Sequence, residues 1–144
     1  MAKLEYFIVC ESTLVDVETN AISLFHVLED VFPDTFPDTL ARLEAVSLWN
    51  LGPEDIRTDF QATLWVTPPG EADGAPFPMN LSKGRMRYRA AQKVLYIPLD
   101  QPGELRIEVR LNGVHAADHV ITIHDVGSLR GGEEMQMRLP MRSD

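Results

Sequence analysis

The chain has 144 residues and a mass of 16.2 kDa, the size of one domain rather than two. Hydrophobic residues make up 44% and charged residues 24%, which excludes an intrinsically disordered chain, a collagen-like fibre and a membrane protein. A net charge of −9 disfavours general attraction to DNA, RNA or anionic lipid, so neither nucleic acid nor membrane is an expected partner.

The charge is unevenly spread. Residues 1–40 carry one base against eight acids, whereas residues 83–114 carry seven bases against three acids. The second block is the one place where an anionic partner has a docking surface. A single cysteine, Cys10, excludes an intramolecular disulfide and suits a reducing compartment. No basic segment leads into a long apolar one at the N-terminus. The longest apolar run, Phe7-Ile8-Val9-Cys10, falls far short of the ~20 residues of a membrane span. The expected setting is cytoplasmic.

In chain order the periodicity is that of strands. Residues 5–15 open with Tyr6-Phe7-Ile8-Val9, rich in aromatic and β-branched side chains, and residues 16–20 form a polar break of hairpin length. Residues 21–28 are apolar on both faces, which predicts a strand buried on both sides or partly covered by a loop. The doubled Phe-Pro-Asp of residues 32–38 predicts a stiff non-helical crossover. In residues 40–51, Leu43, Ala45, Ser47 and Trp49 alternate with Glu44, Val46, Leu48 and Asn50, and we read a strand although residues 39–48 also fit a helical period.

Gly52-Pro53-Glu54-Asp55 is an expected turn, residues 58–67 alternate again, and residues 68–78, with four prolines and two glycines, predict a long exposed loop. Strands follow at 93–99 and 104–112, the latter with Leu105, Ile107, Val109 and Leu111 inward. Asn112-Gly113 is a strong hairpin signal, because a type I′ turn needs positive φ at both central residues. Residues 114–124 form the return strand. After Val126 the pattern dissolves into a Gly- and Met-rich tail that adds a short strand or stays mobile. The expected architecture is an all-β, antiparallel two-sheet β-sandwich of about seven strands, immunoglobulin-like or C2-like, with few or no helices. It occupies residues 1–126, with residues 127–144 as a tail.

Lys83, Arg85, Arg87 and Arg89 fall at alternate positions, so an extended segment puts all four cations on one face. Such a row binds a phosphate or carboxylate ligand, or else is a solvated strand face answering the acidic N-terminal third. His115 and His119 share a strand face but stand roughly 13 Å apart at 3.3 Å per residue, too far for one zinc unless a bulge intervenes. Cys10 has no base nearby in sequence and reads as a buried structural thiol. Glu29-Asp30, Glu54-Asp55 and Glu133-Glu134 are adjacent pairs that a strand points to opposite faces, and Trp49 and Trp65 read as core or rim packing. No phosphate loop, nucleophile elbow, CxxC pair or HExxH occurs, so no catalytic residue, metal or cofactor is assigned.

Val9-Cys10-Glu11 in a first strand, a polar turn, a second apolar strand and Phe36-Pro37 before a third resemble a bacterial family of uncharacterised small β-sandwich proteins. Pro102-Gly103-Glu104-Leu105-Arg106 leading into a strand, and the Asn112-Gly113 hairpin, are similar too. The likeness spans roughly residues 4–124, and this chain departs from it in its longer proline loop at 68–78 and the basic strip that follows. The resemblance implies a fold and a bacterial, cytosolic setting, and it brings no catalytic residues. The function expected is a non-enzymatic interaction module that forms a homodimer or higher homo-oligomer through a sheet face or edge, or binds a protein partner. The alternative is a binding module for an anionic ligand at Lys83, Arg85, Arg87 and Arg89.

Overall fold

The alternating apolar residues of 40–50, 62–67 and 104–111 form strands. The computed structural model describes residues 2–52, 60–83 and 87–129. These residues make β1 (Lys3–Val15), β2 (Ile22–Val27), β3 (Asp30–Val31), β4 (Asp38–Asn50), β5 (Ala62–Thr67), β6 (Ala75–Pro78) and β7 (Asn80–Lys83). They continue as β8 (Arg87–Leu99), β9 (Gly103–Leu111), β10 (Val114–Ile123) and a single helical turn, α1 (Val126–Leu129). Two five-stranded sheets result, sheet 1 in the order β2-β1-β4-β8-β7 and sheet 2 in the order β3-β10-β9-β5-β6. Every pairing is antiparallel except that of β3 with β10. The fold is therefore all-β, built on two antiparallel-rich sheets that do not close into a barrel.

One core lies between the sheets. Val9, Leu43, Ala45, Trp49, Val94 and Ile97 come from sheet 1 and meet Leu64, Val66, Leu105, Ile107, Val109, Ile121 and Ile123 from sheet 2. These are the inward positions that alternation in β4, β5 and β9 marks out. Trp49 and Tyr88 both pack edge-on against Phe60 at centroid distances of 5.6 and 5.0 Å. Ser47 is the buried polar residue in this layer. Its hydroxyl donates to the Ala90 carbonyl at 3.1 Å and accepts from Trp49 Nε1 at 2.9 Å, so the indole is satisfied without leaving the core.

Several expectations are corrected. The described residues hold ten strands against the seven expected, the short β3, β6 and β7 being the unexpected ones. The proline-rich segment is not all loop, because Ala75–Pro78 forms β6 at the edge of sheet 2. Pro76 and Pro78 are two apart, so both missing N–H groups fall on the same side, and an edge strand tolerates that on its open side. β2 is not buried on both faces: it is an edge strand, and Phe25 is 45% exposed. The basic run spans two antiparallel strands, β7 ending at Lys83 and β8 beginning at Arg87. Asn112 and Gly113 have φ of 50° and 84°, the left-handed pair that closes the β9–β10 hairpin. Residues 53–59 and 130–144, which include most of the expected turn at 52–55 and the pair Glu133-Glu134, lie outside the described residues.

Ser47→Ala should lower stability by about 1–3 kcal/mol, since it strands the Trp49 donor in the core. Ile107→Ala should cost about 2–5 kcal/mol through the cavity it opens. Urea unfolding monitored by tryptophan fluorescence measures both.

Candidate functional site

The outer face of sheet 1 is where the chain's unusual features meet. Beyond Cys10, β1 no longer pairs with β4 and continues only with β2, as a two-stranded arm. This arm leans back over the sheet it leaves. Thr13 Oγ1 donates to Glu44 Oε1 at 2.6 Å, and at the arm's tip the Asn20 carbonyl accepts from Arg89 Nη2 of β8 at 2.8 Å. Cys10 and Val46 are fully buried yet stand apart from the core between the sheets, so the arm covers them from the other side. This explains why β4 is apolar on both faces: one face meets sheet 2 and the other meets the arm.

Of the predicted cations, Arg87 is exposed at the start of β8 and Arg89 is half-buried two positions on. They sit opposite Asn50 and Leu48 of β4, on the outer face. Arg89 is engaged by Asn20, whose φ of 63° turns the chain so that its carbonyl and side-chain oxygens both face the guanidinium. Arg89 Nε is buried without a hydrogen-bond partner among the described residues. Lys83 holds the register position opposite Tyr88, which alternates with those of Arg87 and Arg89, and Arg85 lies outside the described residues. Arg87 and Arg89 thus share a face, while Lys83 belongs to the neighbouring strand β7.

The arm's solvent side mixes apolar residues with serines, since Ser12 stands opposite Phe25 and Ser23 opposite Leu14. Leu14 and Phe25 lie on it, and Val17 at the tip is 95% exposed. Its outer strand, β2, is a sheet edge, and it differs from the other three edges. β3 has two residues, β6 carries two prolines, and β7 has four residues ending in Lys83. β2 runs for six residues, Ile-Ser-Leu-Phe-His-Val, with no proline, lysine or acid in it. No local signal in the sequence sets β2 apart, because its edge position follows from the sheet order.

The remaining chemistry-bearing residues are spent in local pairs. A bulge between His115 and Ala117 switches the facing of β10, so the two histidines that spacing puts on one face lie on opposite ones. His115 Nδ1 donates to Glu108 at 2.7 Å on the outer face of sheet 2, while the half-buried His119 Nε2 donates to the Leu28 carbonyl. His124 Nε2 donates to Asp30 at 2.8 Å and stacks on Phe32. Among the described residues no three His, Cys, Asp or Glu side chains cluster as metal ligands do. Arg110 forks onto Glu108 through two 3.1 Å hydrogen bonds and lies 4.2 Å over the Trp65 ring. That fork holds the Glu108 carboxyl below its usual range, with His115 adding to it against burial. Burial, reinforced by the Glu44 charge, pushes the Cys10 thiol up, so it stays protonated and unreactive.

No protein-family model matches this chain, and no curated protein matches it.

Two predictions follow from these contacts. Cys10 should resist alkylation by iodoacetamide at about pH 8 in the native protein. Arg89→Ala should speed that labelling roughly tenfold by freeing the arm tip from a charge-assisted hydrogen bond. Glu108 has a folded pKa below its ordinary 4.5, so its contribution to stability is full above that value and is lost as pH falls through the folded pKa. Glu108→Gln should therefore flatten the acid limb of the stability curve measured by urea unfolding.

Proposed function

We propose that this chain is a non-enzymatic interaction module that self-associates through β2, which pairs antiparallel with β2 of a second copy and doubles sheet 1. The observation that carries the reading is the contrast among the four outermost strands: β3 has two residues, β6 two prolines and β7 four residues, whereas β2 runs for six residues with no proline, lysine or acid. A second copy is the fitting occupant, because an antiparallel strand pair about a two-fold axis is self-complementary. Phe25 and Val27, exposed on and beside the arm's outer side, then gain apolar cover. We read the two sheets as a β-sandwich of the immunoglobulin-like or C2-like kind, working in a bacterial cytoplasm. That setting rests on the family resemblance alone.

A second reading, an anion held at the basic segment, has one observation in its favour: the Arg89 Nε–H, buried without a partner among the described residues, beside the exposed Arg87. Isothermal titration with inorganic phosphate tests it. Binding lost in Arg87→Ala supports it, and no saturable heat removes it.

Sedimentation of the purified chain should show a dimer whose mass is twice 16.2 kDa at high concentration. Phe25→Lys and Leu24→Pro should each weaken association by at least roughly tenfold, the first by charge and the second by removing a ladder donor. Leu81→Lys, on the β7 edge, should leave it unchanged. Antiparallel pairing brings Asp16 and Glu18 at one copy's arm tip toward Glu29 and Asp30 of the other. Raising salt should therefore strengthen the dimer. A monomer at every concentration, or a dimer indifferent to both β2 substitutions, contradicts the proposal.

A further inference from the structure

On the side of sheet 1 away from β2, β7 pairs with β8 only as far as Ala91, so β8 continues from Val94 to Pro98 without a paired strand there among the described residues. β6 of sheet 2 passes beside this gap without pairing to it, and between them lies a cleft of about 380 Å³. That volume falls in the range of small-molecule sites, roughly 300–1,000 Å³. Val66, Phe77, Val94 and Ile97 give it apolar walls, and Glu71, Asp73 and Tyr96 are among its remaining lining residues.

Three features define what it suits. The lining contains two carboxylates and no lysine, arginine or histidine. Neither the Glu71 nor the Asp73 carboxylate has an ion pair or side-chain hydrogen bond among the described residues, so their charge is uncommitted. Tyr96 is 73% exposed and has a φ of 58°, a left-handed conformation that a tyrosine in a strand rarely adopts. The turn there resets the facing of β8: Val94 and Ile97 both point inward, and Leu95 and Tyr96 are both left outside. Tyr96 thereby lines the cleft together with Glu71 and Asp73, around apolar residues, at a backbone conformation of the kind that clusters at ligand sites.

We propose that this cleft binds a small organic cation with an aromatic or branched apolar body. The apolar portion fills the space against Phe77 and Ile97, and the ammonium group is held by Glu71 and Asp73 with the face of Tyr96. The charged side chains of this lining are both carboxylates, which repel an anionic ligand. The inference does not depend on self-association, since β2 lies at the opposite edge of the same sheet.

The test uses the full chain and three probes of one shape: phenethylamine, 2-phenylethanol and phenylacetate, titrated while backbone amide NMR shifts are followed. The amine should bind at least roughly tenfold more tightly than the alcohol, with saturable shifts at Gly74 and Tyr96, and phenylacetate should not saturate. The double variant Glu71→Gln/Asp73→Asn changes only exposed side chains and should erase the amine's advantage while leaving alcohol binding unchanged. Phe77→Ala should weaken amine and alcohol alike. An amine that binds no better than the alcohol, an advantage that survives the double variant, or no saturable shift with any probe overturns the proposal.

Discussion

Two open sheets present four edges, and each edge is a row of backbone N–H and C=O groups whose partners must come from water, side chains or another chain. Much of this structure is an answer to that constraint. β3 is kept to two residues and tied in parallel to β10, and its flanks add hydrogen bonds from Thr122 to Glu29 and from His124 to Val31. β6 turns the missing donors of Pro76 and Pro78 to its open side. β7 covers only the first third of β8. At β2 the answer is different: the strand runs for six residues with no proline, lysine or acid, and its one interruption is His26, at a φ of 59° and 2.6 Å from Glu11. The proposal that a second copy completes the sheet follows from this imbalance, and so does the cleft, which is the gap β7 leaves beside β8.

The arm made by β1 and β2 links the edge to the interior. A free two-stranded ribbon is marginal in water, and this one gains its support by lying on its own sheet. Val46 and Cys10 fill the space beneath it, while Thr13–Glu44 and Asn20–Arg89 pin its base and tip. Arg89 therefore serves as a clasp for the arm, and a ligand drawing on the same guanidinium competes with that clasp. The same packing raises the pKa of the Cys10 thiol: burial under the arm, beside Glu44, stabilises the neutral form.

Much of the fold was legible in local pattern. Alternation places Leu43, Ala45 and Trp49 of β4 and Leu105, Ile107 and Val109 of β9 in the core, and Asn112-Gly113 marks its hairpin. What escaped has a common physical cause, in that facing and edge position depend on partners remote in sequence. A bulge near Ala116 and a left-handed residue at Tyr96 each reset which side chains point inward, and neither has a distinctive residue to announce it. β2 reads as doubly buried because apolar residues fall on both of its faces, yet sheet order makes it an edge. The cations of residues 83–89 look like one row in the sequence, yet Lys83 and Arg87 fall on two antiparallel strands. Of that candidate site, Arg87 and Arg89 alone are seen together on one face.

Hydrogen exchange followed by mass spectrometry across a concentration series tests the β2 pairing most directly, because it reports on the edge itself rather than on the mass of the assembly. The account predicts that amides within β2 become protected as concentration rises, while those of β6 and β7 exchange at unchanged rates. Protection in β2 that does not vary with concentration, or protection that appears instead along β7, would contradict it.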